Sequence, residues 1–247
     1  MMIFNDIEEN LSNEEKSDLE KEDIKLENYK EKTINNEENQ FDICKKSALK
    51  GDKVAQFNLG CYYHKGIYVT KNIKKAIIWY TSSAEQNYSK AECNLAYMYM
   101  VGKDVPKDLK KAFKWSLRAA AHGDVNSQFN VGYMYSEGKG IEKNIKNAIK
   151  WYSLAAKQGH TNAQCNLAYI YDFNEDGYKD IKQAIKWYTK AANKDNPYAL
   201  FNLGEIYYIG DGVDQNKEKS LELYKKAASL GLDIAKEKLK ENFNNKD

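Results

Sequence analysis

Trp79, Trp115, Trp151 and Trp187 recur every 36 residues, and Leu223 takes the fifth place. A second series keeps the same period without a gap: Asn58-Leu59-Gly60, Asn94-Leu95-Ala96, Asn130-Val131-Gly132, Asn166-Leu167-Ala168 and Asn202-Leu203-Gly204. A fixed period of this length predicts stacked like units, each too small to bury its apolar face alone.

Each unit is expected to hold two helices. In the first copy, helix A spans roughly Lys53 to His64, with Phe57, Leu59, Tyr62 and Tyr63 at helical spacing. Gly66 follows it, and Gly102, Gly138 and Gly210 stand at the same place, where a left-handed residue ends a helix. Helix B should start after Asn72, Asp108, Asn144, Asp180 and Asn216, all good N-caps. It should end near Asn87 and its glycine counterparts Gly51, Gly123, Gly159 and Gly231. Asn196-Pro197 has the order of a cap and a first helical residue. Only Gly or Ala occupies position 60 and its copies, and alanine recurs in two columns of helix B, at Ala76 and Ala84 in the first copy. Such positions predict close helix–helix approach around a seam of indoles and alanines.

Charge divides the chain. Residues 1–40 hold 13 acidic and 5 basic side chains, a balance of −8, so the remainder carries +10. The first segment has few large apolar residues and no period, and is expected to be a mostly disordered acidic arm, with transient helix around Leu19 to Leu26. Residues 41–247 are expected to form the repeat domain: five full helix pairs, with single capping helices at 41–50 and 233–243. Two prolines favour a helical class, and four scattered cysteines argue against a disulfide scaffold. The start MMIFNDIEEN lacks a basic leader with an apolar core, and no apolar run is long enough to span a bilayer. The expectation is a cytoplasmic monomer.

The first copy runs Ala55-Gln56-Phe57-Asn58-Leu59-Gly60-Cys61-Tyr62-Tyr63-His64-Lys65-Gly66 and continues from Val69 through Ala84. This pattern closely resembles the Sel-1-like repeat, a cousin of the tetratricopeptide repeat, over residues 41–247. The resemblance implies an all-α, right-handed superhelical solenoid of antiparallel helix pairs with a 36-residue period. It also implies an adaptor that holds other proteins in complexes, or a regulatory repeat subunit or separated portion of a kinase-linked signalling protein. Copy four departs from the pattern, with Phe173-Asn174-Glu175-Asp176-Gly177 in place of the usual glycine-rich loop. Secreted, cysteine-rich relatives carry a disulfide in each repeat. Here Cys93 and Cys165 share one column two units apart, beyond disulfide reach, and are read as small core residues, so the β-lactam binding of that group gains no support.

No catalytic constellation, cofactor motif or metal set is recognised. His64, His122 and His160 lie in different units, with no carboxylate or cysteine at ligand spacing. Asp172-x-Asn174-x-Asp176-Gly177-Tyr178-x-Asp180 follows the first nine places of a calcium loop, but Gln183 stands at the twelfth and Lys179 at the eighth. A hydrophilic turn with a helix cap is the plainer reading.

The expected partner is a protein or peptide on a concave helix A face, with no small-molecule substrate. Asn58, Asn94, Asn130, Asn166 and Asn202 are the candidate contacts, because asparagine is a poor helix-interior residue and recurs five times. Tyr97, Tyr133 and Tyr169, three places on, would add flat contact area. The competing reading has each asparagine bond a loop carbonyl of the neighbouring unit and lock the stack. On helix B, Lys74, Lys110, Lys146 and Lys182 form one column and Lys114, Lys150 and Lys186 another. They are read as a solvated basic stripe that the acidic arm could cover in competition with an acidic partner. Nucleic acid is disfavoured, because no aromatic platform is expected among these lysines.

Overall fold

The computed structural model describes residues 40–173 and 177–243. Among these the chain is all helix, without a strand. The helices are α1 (Gln40–Leu49), α2 (Lys53–Lys65), α3 (Ile73–Glu85), α4 (Ser89–Val101), α5 (Leu109–Ala121), α6 (Val125–Glu137), α7 (Ile145–Lys157), α8 (Thr161–Phe173), α9 (Ile181–Ala192), α10 (Pro197–Ile209), α11 (Lys217–Ser229) and α12 (Asp233–Phe243). Two compact units divide at Lys107 and Asp108. The N-terminal unit holds α1–α4 and the C-terminal unit α5–α12. Within each, consecutive helices pack against one another as A and B partners. The acidic arm lies outside the described residues.

Local chemistry places the helix ends. Asn72, Asp108, Asn144, Asp180 and Asn216 each accept a bond from the amide three residues on, at 2.9–3.1 Å. That satisfies one of the free amides of the first helical turn. Gly66, Gly102, Gly138 and Gly210 end the A helices at φ 67–84°, and their amides close back onto the last turn. At the B-to-A turn two repeats lack glycine, and Asn87 and Asp195 adopt φ 59° and 56° instead.

The seam is built from a different aromatic column than the tryptophans suggest. Tyr80, Tyr152, Tyr188 and Tyr224, one residue after each indole position, are fully enclosed. Trp115 and Trp187 are buried, but Trp79 and Trp151 are only half-buried. A tyrosine ring at this place faces the glycine of its own A helix. A Cβ on Gly60, Gly132 or Gly204 would stand 2.6, 2.7 or 2.9 Å from a ring carbon of Tyr80, Tyr152 or Tyr224. Leu59, Leu95, Val131, Leu167 and Leu203, beside the small residues, are all buried, as are Ala76, Ala112, Ala148 and Ala184.

A glutamine column passed over at the level of sequence fastens neighbouring repeats. Gln56, Gln128 and Gln164 are buried and donate to the carbonyls of Ala48, Ala120 and Ala156 at 3.0–3.3 Å. These carbonyls belong to the last turn of the preceding helix, and each also accepts from the glycine amide three residues on, at 3.0 Å, so the glutamine adds a second bond from the next repeat. Gln86 and Gln158 donate in turn to Gln56 and Gln128 at 2.7 and 2.8 Å. α1 buries Phe41, Cys44 and Ala48, whereas α12 buries Ala235 and carries six charged side chains.

Candidate binding cleft

The asparagine column and the tyrosine seam form one network. Asn166 Nδ2 donates to the Tyr152 hydroxyl at 3.2 Å and Asn202 Nδ2 to Tyr188 at 3.0 Å, each fourteen residues upstream. Asn94 bonds Tyr80 in the same register. The partner is therefore a buried hydroxyl of the preceding repeat and not a loop carbonyl. The column is interrupted where tyrosine is: Cys44 stands fourteen residues before Asn58, and Ser116 before Asn130. Ser116 is buried, and its Oγ has no hydrogen-bond partner among the described residues. Asn58 is exposed and Asn130 half-buried.

In the C-terminal unit this network floors a cleft of about 530 Å³ between α6 and α8. Tyr133, Ser136 and Glu137 of α6 line one side, and Asn166, Tyr169, Ile170 and Phe173 of α8 the other, with Tyr152, Lys143 and Ile145 completing it. Tyr169 and Phe173, one turn apart, keep their ring centroids 4.8 Å apart, and each is 54% exposed. Lys139 Nζ stands 4.5 Å above the Tyr133 ring and also donates to its hydroxyl. The Ser136 and Tyr152 hydroxyls meet at 3.2 Å. The cleft thus gathers Tyr133, Asn166 and Tyr169 from the expected contacts. Asn130 and Asn202 belong to the same unit outside its lining, while Asn58, Asn94 and Tyr97 lie in the N-terminal unit. The sequence reading missed Phe173 and Ser136. Phe173 stands in the very segment where copy four departs from the pattern.

One repeat further, Asp172 takes the place of Ser136. It is buried, and the Tyr188 hydroxyl that accepts from Asn202 bonds it. Burial, and then the nearby Asp211 carboxylate, push its pKa up to about 6, against the opposing pull of Lys179 and the Tyr188 hydrogen bond. An unfolded aspartate titrates near 3.9, so the folded state takes up this proton first. The stabilisation due to Asp172 protonation is complete below about pH 4 and is lost as pH rises through about 6. Asp172→Asn should therefore gain on the wild type by about 2 kcal/mol between pH 4 and pH 7 in urea unfolding. A difference constant across that range would refute the buried titration.

Two places of the calcium-like loop have other duties. Asp172 bonds Tyr188, and Asp180 caps α9 through the Gln183 amide at 3.1 Å. Asn174 and Asp176 lie outside the described residues. Among the described residues no three His, Cys, Asp or Glu side chains are grouped to hold a metal.

The histidines are better connected than their sequence spacing suggests. His64 Nε2 lies 3.1 Å from Asp104 Oδ2, forty residues on, and Lys71 Nζ is 2.8 Å from the other carboxylate oxygen. These two contacts hold Asp104 below the usual carboxylate range. His64 Nδ1 and Cys61 Sγ both meet the Tyr80 hydroxyl, at 3.3 and 3.4 Å. His160 Nδ1 accepts from the Ala163 amide at 3.1 Å and so caps α8, while its ring stacks on Phe129 at 4.5 Å. None of the cysteines is in a disulfide, and burial pushes the Cys165 thiol up to about 12, in keeping with a core role.

Comparison with known proteins agrees with this architecture. The Sel1 repeat family model matches residues 53–88, 89–124, 125–160, 161–196 and 197–232 in unbroken succession. A sel1-like repeat-containing protein of Acanthamoeba polyphaga mimivirus is 56% identical over 43 residues, which is 17% of this chain and only 7% of that protein. Among solved structures, a Sel1 repeat protein from Oxalobacter formigenes superposes with a TM-score of 0.69 at 32% identity, over 76% of this chain and 77% of that one. A protective antigen present in uropathogenic Escherichia coli strains, which displays an SLR fold, gives 0.59 at 28% identity, over 83% of this chain and 52% of the antigen. Among the described residues no helix is long and apolar enough to cross a membrane. Five contiguous repeats, the matching helix pairs and the structural likeness make this chain a member of the Sel1 repeat family.

Proposed function

We propose that this chain is a non-enzymatic scaffold that binds an extended peptide or protein segment along its A helices, with the α6–α8 cleft as the seat in the C-terminal unit. Sel1-repeat proteins generally mediate protein–protein interactions, and the family is a non-catalytic repeat scaffold. The observation that carries the reading is the exposed pair Tyr169 and Phe173 beside a polar floor of Tyr152 and Asn166. Adjacent rigid rings offer a large contact area at little conformational cost, and amides beside them can bond a peptide backbone. Tyr133, Asn130 and Asn202 would add contacts within the C-terminal unit, and Asn58, Asn94 and Tyr97 would serve in the same way on the A helices of the N-terminal unit taken by itself.

Selecting binders from a displayed peptide library on the full chain supplies the probe. Tyr169→Ala combined with Phe173→Ala should weaken the selected peptides by about tenfold or more, without moving the unfolding midpoint. Asn130→Ala is a second arm: its tyrosine is replaced by Ser116, so the variant should keep its stability, whereas Asn166→Ala should lose about 1 kcal/mol with its Tyr152 bond. Peptides that bind all three variants as tightly as the wild type would place the interaction elsewhere.

A further inference from the structure

The B helices of the C-terminal unit carry an unbalanced charge. α5, α7 and α9 together hold ten Lys or Arg side chains and no Asp or Glu. Lys110 and Lys114, Lys146 and Lys150, and Lys182 and Lys186 are all exposed at the same two places of the repeat. Residues four apart share a helix face, so each helix contributes the same short basic row.

A tryptophan stands beside each of these rows. Lys114 Nζ and the Arg118 guanidinium lie 5.4 and 5.1 Å from the Trp115 ring centre. Lys150 is 5.8 Å from Trp151, and Lys186 and Lys190 are 5.7 and 4.6 Å from Trp187. A ring under a cation helps fix its position without cancelling its charge. The cations are thus partly ordered before any anion arrives, which lowers the entropy lost on binding.

We propose that the α5–α7–α9 face docks an acidic polypeptide segment, of the charge that residues 1–40 show with 13 acidic and 5 basic side chains. Complementary charge favours this occupant: the three helices carry ten cations against the Asp108 and Asp180 carboxylates at the N-caps of α5 and α9, and a run of carboxylates relieves the remaining repulsion. A nucleic-acid platform needs rings open to bases, whereas Trp115 and Trp187 are buried with cations over them. A membrane surface would want apolar side chains to insert, and among the large apolar residues of these three helices only Leu154 is exposed.

The test titrates a labelled synthetic peptide with the sequence of residues 1–40 into the full chain and follows fluorescence anisotropy. The same titration is run on the full chain carrying Lys114→Glu, Lys150→Glu and Lys186→Glu. Binding to the wild type should weaken about tenfold as salt rises from about 50 to about 300 mM. Charge reversal should weaken it by about tenfold or more at low salt, with unchanged circular dichroism and unfolding midpoint. The Tyr169→Ala and Phe173→Ala variant should bind the peptide normally, which separates this face from the cleft. The proposal falls if the peptide does not bind at low salt or if charge reversal leaves its affinity intact. It falls equally if single-stranded RNA or phosphatidylserine vesicles occupy the same lysines more tightly than the peptide does.

Discussion

Gly132→Leu should lower the stability of the C-terminal unit by about 3 kcal/mol, read as a shift of its urea unfolding midpoint. A Cβ at this glycine would sit 2.7 Å from Tyr152 Cδ1 and 2.9 Å from Cε1, inside van der Waals contact, before any leucine branch is added. The ring has little room to yield. It is 1% exposed, and its hydroxyl is held by Ser136 and Asn166 at 3.2 Å each. The helices must therefore part, and parting them threatens the burial of Val131 on α6 and of Ala148 and Ala155 on α7, each fully enclosed. Ala148→Leu should act in the same direction by the same overpacking. Alanine already occupies the glycine column at Ala96 and Ala168, so Gly132→Ala should cost less than Gly132→Leu. An unchanged midpoint for Gly132→Leu would show that the pair is not in contact as described.

Tyr152→Ala should cost about 4 kcal/mol, and more than Trp151→Ala at about 2 kcal/mol. The tyrosine is enclosed, so its removal leaves a cavity between packed helices and takes the hydroxyl partner from the Asn166 amide, while Ser136 keeps its bond to the Tyr133 carbonyl at 3.0 Å. The indole next to it is half-buried, so part of the space it leaves is open to water. The double variant Gly132→Leu with Tyr152→Ala gives the sharper measurement. The added leucine would fill space that the lost ring vacates, so the combined loss should fall short of the sum by about 1–3 kcal/mol. Additive losses would mean that the two positions do not share the space. A larger loss for Trp151→Ala than for Tyr152→Ala would return the anchoring role to the indole.

This contrast marks how much of the molecule was legible beforehand. The period was visible, and the helix ends followed from it, because caps and left-handed termini depend on residues a few places apart. Asn72 and Gly66 need only their own turn of chain to act. The close-approach columns at Gly60 and Ala76 were likewise evident as positions where nothing large recurs. The choice between adjacent aromatic residues was not. Trp151 and Tyr152 differ by about 100° around the helix, and which one faces the seam depends on how neighbouring helices are set. The more conspicuous residue drew the inference, and the smaller one holds the centre.

The site shows the same division. Sequence alone picked the asparagine column and the tyrosines three places on, and of these Tyr133, Asn166 and Tyr169 line the α6–α8 cleft with Phe173. It did not show that Asn166 and Asn202 are already bonded to Tyr152 and Tyr188. That bond joins residues fourteen apart on different helices. Once seen, the register explains the exceptions as well, since Cys44 and Ser116 remove the partner of Asn58 and Asn130. His64 and Asp104 are a further case, forty residues apart in the chain and 3.1 Å apart in space.

The repeat, its length, the all-helical class, the helix caps and the family follow from residue order alone. All of these rest on periodicity and on interactions within one or two turns of chain. Tertiary structure decided which aromatic fills the seam, which amides are already bonded, and where exposed rings meet to form a cleft. Those outcomes depend on packing between helices, where a rotation of one residue exchanges an enclosed ring for a half-exposed one.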